Sequence, residues 1–177
     1  MKKLNNYITE RLKLTSKTSQ YTCQPKSKKE LKQIISTRLD KDPNADLNDI
    51  DVSLITDMSI LFEHLDPHNI KINEWDVSNV TNMCALFYEC KNLDCDLSNW
   101  NVSNVTNMNY MFVDCQNFNC DLSEWDVSNV EYMSYMFIGC EKFNCDLNKW
   151  KTSKVKNMAD AFYRCNSLKN KPTWYKK

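Results

Sequence analysis

Cysteine is the residue type in this sequence whose side chain could do the most chemistry, and there are nine of them. Seven of them fall in two columns, and within each column the cysteines are 25 residues apart. One column is Cys90, Cys115, Cys140 and Cys165, and the other is Cys95, Cys120 and Cys145. Thiols could bind zinc or form disulfides, but a zinc site needs four converging ligands, and the two histidines lie outside both columns. We therefore interpret these cysteines as free thiols in an apolar core, with disulfides or a metal site as alternatives.

A second set of polar residues could bind a partner. Phe118, Cys120 and Leu122 alternate as in a half-buried strand, so the residues between them point outward. Repetition lines these outward positions up into a ribbon on the expected concave side, where stacked repeats bind extended partners. The ribbon consists of Asp94, Asp96, Ser98, Asn119, Asp121, Ser123, Asn144 and Asp146. Two other readings stay open: a purely structural ladder that protects the edge, or calcium bound between Asp rungs.

The sequence offers no constellation for catalysis. It contains no G-x-G-x-x-G, P-loop, H-E-x-x-H or G-x-S-x-G motif, and a repeat array supplies ladders of identical groups instead of one convergent set. His64 and His68 stand beside Asp66, a triplet that is more typical of a solvated loop. We predict that the protein is not an enzyme and needs no cofactor.

These groups are positioned by a repeat. Trp75, Trp100, Trp125 and Trp150 lie 25 residues apart, and a phrase such as WDVSNVTNMCALFYEC follows each. A fixed period near 25 residues is typical of a solenoid. Met108, Met111, Phe112 and Cys115 have the spacing of one helix face. The fold prediction is an α/β repeat over residues 50–174, a right-handed leucine-rich-repeat-like solenoid of about five strand-turn-helix repeats.

The columns of apolar residues in these repeats are expected to be core. Each Trp should stack on its counterpart one repeat away, and Asp76, Asn101 and Asp126 suit Asx-type turns. Residues 1–49 lack the repeat and are predicted to form an N-terminal cap region, with a helix at about 27–39 that begins with a capping box at Ser27. Residues 175–177 form a tail.

Charge is strongly segregated although 23 basic residues balance 23 acidic ones. Residues 1–40 and 149–177 are basic, whereas residues 41–148 hold 19 of the acidic residues and four basic ones. This favours a basic protein partner for the body and disfavours nucleic acid. A nucleic-acid alternative would use the basic ends, including Lys149, Lys151, Lys154, Lys156 and Arg164. No signal peptide or membrane span is visible in the sequence, which predicts a cytoplasmic protein.

The repeats W-D-V-S-N-V-T-N-M and M-F-x-x-C-x-x-F-N-x-D-L-S resemble those of the BspA-like leucine-rich-repeat surface proteins, also described as mycoplasma-lipoprotein-type repeats. The resemblance covers about residues 50–172 and implies a non-enzymatic protein-interaction module, adhesin-like, of bacterial or phage origin. It also implies a place at the cell surface or in a virion. The alternative is a structural or phage-encoded component that self-associates. The identity of the partner and the oligomeric state stay open.

Overall fold

The structure is a computed structural model that describes residues 21–176. In this range it has one helix, α1 (Lys28–Leu39), and no extended strand. Single parallel bridges connect Cys23 with Ile50, Asp46 with Lys71, and then Asp57, Asn82, Asn107, Tyr132 and Asn157 in succession. The predicted α/β leucine-rich-repeat solenoid of strand-turn-helix repeats is therefore wrong. The repeats are coils of turns that stack on one another. Residues 1–20 of the predicted cap region and Lys177 of the predicted tail lie outside the described residues.

The predicted repeat helix is absent because of its backbone conformation. Tyr110 and Asp114 have φ angles of 60° and 54°, in the left-handed region that a right-handed helix excludes. Cys115 N donates to Phe112 O at 3.1 Å, closing a turn whose third residue, Asp114, has positive φ, as in type II turns. Two such turns in sequence bring Met108, Phe112 and Cys115 to the same buried side. The helical spacing thus predicted correctly which residues are buried, but it predicted the wrong backbone conformation.

Backbone amides in these turns join successive repeats in what we call the amide ladder. In one rung, alternate amides donate to alternate carbonyls of the next repeat at 2.8–2.9 Å, in the pairs Met83–Asn107, Ala85–Asn109, Phe87–Met111 and Glu89–Val113. Equivalent bonds link the rungs that begin at Met58, Met108 and Met133. All of them run from an N–H to a carbonyl of the following repeat. The ladder is therefore polarised, with carbonyls facing its start and amides facing its end.

The predicted strand at residues 118–122 is absent for a different reason. Within the segment, Phe118 N donates to Cys115 O of the same repeat at 3.2 Å, and Leu122 N donates to a side chain of the next repeat, at Cys145 Sγ, at 3.3 Å. The contact from Asn144 N in the next repeat is likewise to a side chain, at Asn119 Oδ1, at 2.9 Å. Burial still alternates, with Phe118 and Leu122 buried and Asp121 exposed. The period of two was read correctly, but no strand ladder follows from it.

Aromatic columns fill the core. Successive Phe rings from Phe62 to Phe162 stack at centroid distances of 5.0–5.6 Å. The predicted Trp stacking is confirmed: Trp75 stacks on Trp100 at 6.3 Å and Trp125 on Trp150 at 6.4 Å. Each indole Nε1 also donates to a carbonyl of the preceding repeat, as Trp125 does to Leu97 O at 3.0 Å. The columns combine apolar burial with satisfaction of the one polar atom of each indole.

Helix α1 covers the start of the stack. Ser27 caps it by accepting from Glu30 N at 3.2 Å, and Leu31 and Ile35 are completely buried against the first repeat. Lys28 Nζ reaches Asp57 Oδ2 and Ser59 Oγ, both at 2.8 Å. Lys32, in the next turn of the helix, donates to Ile60 O at 2.8 Å. Two lysines of the helix thus bind residues of the first rung, through groups other than its ladder carbonyls.

Candidate functional site

The structure brings the predicted ribbon residues together on one surface. Between the buried side chains of Leu97, Leu122 and Leu147, the ribbon Asp and Asn side chains are exposed, and the Ser side chains are half-buried. A shallow groove of about 340 Å³ is lined by Asn119, Cys120, Asp121, Ser123, Asn144, Cys145 and Asp146. An adjoining groove is lined by Asn69, Asp94, Cys95, Asp96, Cys120 and Asp121. Because the two grooves share Cys120 and Asp121, the ribbon is continuous across three repeats.

Three aspartates form the centre of the ribbon, and the same local turn holds each of them. The Oδ1 atoms of Asp96, Asp121 and Asp146 each accept a backbone amide two residues on, at 2.9 Å. For Asp96 the hydroxyl and then the amide of Ser98 lower the pKa of the carboxyl. For Asp121 and Asp146 the amides of Ser123 and Asn148 are the largest causes of a lowered pKa. The three groups are therefore charged at neutral pH.

Lysines bound this row of carboxylates. The positions equivalent to Asp96 and Asp146 in the flanking repeats are Lys71 and Lys171. Lys71 Nζ lies 3.5 Å from Asp46 Oδ2, and Lys171 Nζ lies over the ring of Tyr175 at 5.2 Å. The negative patch is consequently about three repeats long and ends at a cation on each side.

Cys120 and Cys145 lie in the floor of the ribbon, which sequence reasoning missed. It predicted the whole second cysteine column on the inward face, but only Cys95 is buried, and the other two are half-buried. Cys145 Sγ lies 3.3 Å from Asp121 Oδ1 and accepts from Leu122 N. Burial raises the pKa of both thiols to about 11, so they stay protonated at neutral pH and can donate to the carboxylates. The spacing in the sequence could have indicated this contact, because each of these cysteines follows a ribbon Asp by 24 residues, almost one repeat.

The first cysteine column consists of buried free thiols, as predicted. Cys115, Cys140 and Cys165 donate Sγ–H to the carbonyls of Phe87, Phe112 and Phe137 at 2.8–3.0 Å. Desolvation raises the pKa of each thiol, in the case of Cys165 to about 12. These thiols are structural hydrogen-bond donors with little thiolate character.

Other candidate groups are placed apart from the ribbon. Asp66 binds Asn92 through both its carboxylate oxygens, at 3.2 and 2.9 Å, and not either histidine. Within residues 21–176 no cluster of three or more His, Cys, Asp and Glu side chains could hold a metal ion. A larger groove of about 690 Å³ lies at the Trp turns and includes Tyr21, Asp51, Glu74 and Asp76. There Asp51 accepts from Ser53 N and Gln24 Nε2.

The basic side chains near the end of the stack are largely engaged within the chain. Lys149 pairs with Glu124, Lys156 with Glu131 at 2.7 Å, and Lys154 Nζ donates to Asn129 Oδ1 at 2.6 Å. Each partner lies 25 residues earlier, at the equivalent position of the preceding repeat. Within residues 21–176, no helix has the length and apolar character needed to cross a membrane.

Comparison with known proteins identifies the repeat. The family described as Mycoplasma protein of unknown function, DUF285, matches residues 29–119 and 56–175. The chain belongs to this family. No curated protein and no solved structure matches the chain. DUF285 membership agrees with the predicted resemblance to mycoplasma-type repeats, and it assigns no activity to them.

Proposed function

We propose that this DUF285 protein is a non-enzymatic interaction module that binds a basic segment of a partner protein along the ribbon. The observation that carries the proposal is the row of three exposed carboxylates at one position of three successive repeats. Their lowered pKa values keep the row charged at neutral pH. Such a row complements lysines and arginines spaced along an extended chain.

The shape of the ribbon also supports a macromolecular partner. Small-molecule sites are concave and mostly apolar, with a few converging polar groups. The ribbon is shallow, and Asp and Asn dominate its exposed lining. Its polar groups are distributed along the stack in a repeated pattern, which suits repeated contacts with an extended segment.

The resemblance to BspA-like surface proteins supports a narrower form of this proposal. In that form the module is adhesin-like, and its partner is a matrix or cell-surface protein. This assignment of location and partner class rests on the resemblance alone.

Two matched triple variants test the proposal. Replacing Asp96, Asp121 and Asp146 by Asn removes the charge but keeps an acceptor for each turn, as Asn101 accepts from Ser103 N at 3.2 Å. The control replaces Asp51, Asp76 and Asp126 by Asn. These residues form the same turn with Ser53, Ser78 and Ser128, on another surface. Both triples change the net charge by the same amount.

The probe is a fluorescent decalysine peptide, with binding measured by anisotropy at low and physiological salt. We expect the ribbon triple to weaken binding by about tenfold or more, and the control triple to change it less than about twofold. Equal losses of peptide affinity in the two triples would show that only net charge matters. A larger loss in the control would place the site at the larger groove that includes Tyr21, Asp51 and Asp76. Either result would contradict the proposal.

A further inference from the structure

The last rung of the amide ladder presents unused hydrogen-bond donors. In the rung before it, four amides bond to the carbonyls of the next repeat at 2.8–3.0 Å. The equivalent amides of the last rung bond to no acceptor within residues 21–176, and they belong to Met158, Asp160, Phe162 and Arg164. A row of unpaired amides is a template for pairing with another chain.

A neighbouring carbonyl specifies what kind of ligand this edge fits. Glu131 O accepts from Lys156 N at 2.8 Å, immediately before the four amides of that rung. In the last rung Lys156 O has the equivalent position and accepts from no described residue. The edge therefore offers one acceptor followed by four donors. A peptide backbone supplies the complementary N–H and four carbonyls, whereas a simple anion supplies acceptors only.

Residues 165–176, the described residues that follow the last rung, leave this edge uncovered. Trp174 stacks on Trp150 at 6.0 Å, and the Tyr175 ring meets Phe162 edge-on at 5.2 Å. Both continue the aromatic core and do not pair with the ladder amides. Tyr163 is 57% exposed beside the edge. A second copy of this chain would have to dock here through the start of its own stack, which α1 covers. A segment of a partner protein therefore fits the edge better.

Charge selects among partner segments. Beyond Asp146 the sequence has one acidic residue, Asp160, and nine basic ones. Arg164 forms no hydrogen bond or ion pair with the described residues. Asp114, Gly139 and Arg164 occupy the same position in successive repeats. The Asp114 side chain reaches the next repeat, since its carboxylate lies where a Cβ at Gly139 would be. Arg164 is placed in the same way to reach the equivalent residue of an added segment.

We propose that the edge formed by residues 156–164 binds an extended acidic peptide segment of a partner protein, which adds one further rung to the amide ladder. This surface is separate from the ribbon, and it would be occupied by a segment of opposite charge. The backbone bonds supply the affinity and the basic side chains supply the selectivity, as in strand addition to a sheet edge.

The test uses a fluorescent peptide of residues 104–116 with Cys115→Ser. Within the chain, its carbonyls at Asn107, Asn109, Met111 and Val113 accept the ladder bonds of the preceding rung. Its Asp114 takes the position that faces Arg164. We expect the peptide to shift the ¹H–¹⁵N signals of Met158, Asp160, Phe162 and Arg164 in the intact 177-residue chain.

A charge exchange supplies the specificity control. We expect Arg164→Glu to weaken binding of this peptide by about tenfold and to bind a version with Asp114→Lys better than the original chain does. Lys151→Glu, an equal change of charge at the same end, should alter affinity less than about twofold. The proposal is overturned if the four amide signals do not move, if both charge reversals weaken binding equally, or if inorganic phosphate equimolar to the peptide displaces it.

Discussion

The two ends of the repeat stack carry the same backbone ladder but meet opposite surroundings. At the start, α1 buries Leu31 and Ile35, and its Lys28 and Lys32 bind residues of the first rung. At the other end, the amides of Met158, Asp160, Phe162 and Arg164 find no acceptor in the described chain. A stack of identical rungs has no intrinsic stopping point, so each end needs its own solution. We therefore expect the covered end to contribute more to stability, whereas the open end offers backbone donors that the covered end lacks.

The largest difference should appear when the apolar cover is removed. Leu31→Ala deletes a fully buried side chain and should lower the free energy of unfolding by about 2–5 kcal/mol. Leu168→Ala, at a half-buried site near the open end, should cost less than about 2 kcal/mol. Denaturant unfolding monitored by Trp fluorescence measures both. Equal losses would contradict the contrast between the ends.

The tryptophan column allows the same comparison between the interior and the open end. Trp125→Phe keeps a six-membered aromatic ring but leaves the buried Leu97 carbonyl without its indole donor, which should cost about 1–3 kcal/mol. Trp174 makes the same bond to Leu147 O at 2.7 Å, but it is half-buried. Water can replace that donor, so Trp174→Phe should cost under about 1 kcal/mol. The prediction fails if the two unfolding curves shift alike.

Ion pairs at the two ends should also differ. Burial opposes the ionised form of Asp57, yet hydrogen bonds from Lys28 and Ser59 lower the pKa of its carboxyl below the usual value. Its stabilising contribution is therefore present above the unfolded pKa and is lost as pH falls through the folded pKa. Lys28→Met should cost at most about 1 kcal/mol at neutral pH and nothing in acid.

The matched change at the other end is Lys149→Met, which removes the pair with Glu124. Those two side chains are 70% and 71% exposed, against 33% and 45% for Lys28 and Asp57. We expect no measurable loss of stability from Lys149→Met at any pH between 3 and 7. Unfolding at a series of pH values compares the two, and a pH-independent loss for Lys28→Met would contradict the assignment.

Two serines at the same position of different repeats should give the smallest changes in stability, and these changes should have opposite signs. Ser59 Oγ accepts from Lys28 Nζ at 2.8 Å, whereas Ser134, three repeats later, buries a hydroxyl that has no partner among residues 21–176. Ser59→Ala should destabilise the protein slightly. Ser134→Ala should stabilise it by about 0.5 kcal/mol, because it removes an unsatisfied buried group. A destabilised Ser134→Ala variant would mean that this hydroxyl has a partner after all.

Much of the packing was predictable from the sequence, but the backbone was not. The 25-residue period identified the Trp and Phe columns, and the capping box at Ser27 placed α1 within a residue of its start. The helix and strand predicted within each repeat are absent, because side-chain spacing reports only which side is buried. Positive φ at Tyr110 and Asp114 is not expected of such residues, and it makes turns with helical spacing.

For the ribbon, the sequence predicted which residues lie together, and it missed Asn69, Cys120 and Cys145. Asn69 extends the row because it is the equivalent of Asp94 in the first, degenerate repeat. Cys120 joins the floor because its thiol bonds across repeats to Asp96 Oδ1, at 3.7 Å. Strand alternation assigned that thiol to the core. Only three-dimensional register shows it beside a carboxylate.

Amide hydrogen exchange of the free protein, resolved by residue, tests most directly the claim that one end of the ladder is covered and the other open. The amides of Met133, Tyr135, Phe137 and Gly139 should exchange only through opening of the stack. Those of Met158, Asp160, Phe162 and Arg164, at the same positions of the next rung, should exchange orders of magnitude faster. Equal protection of the two rungs would contradict the account.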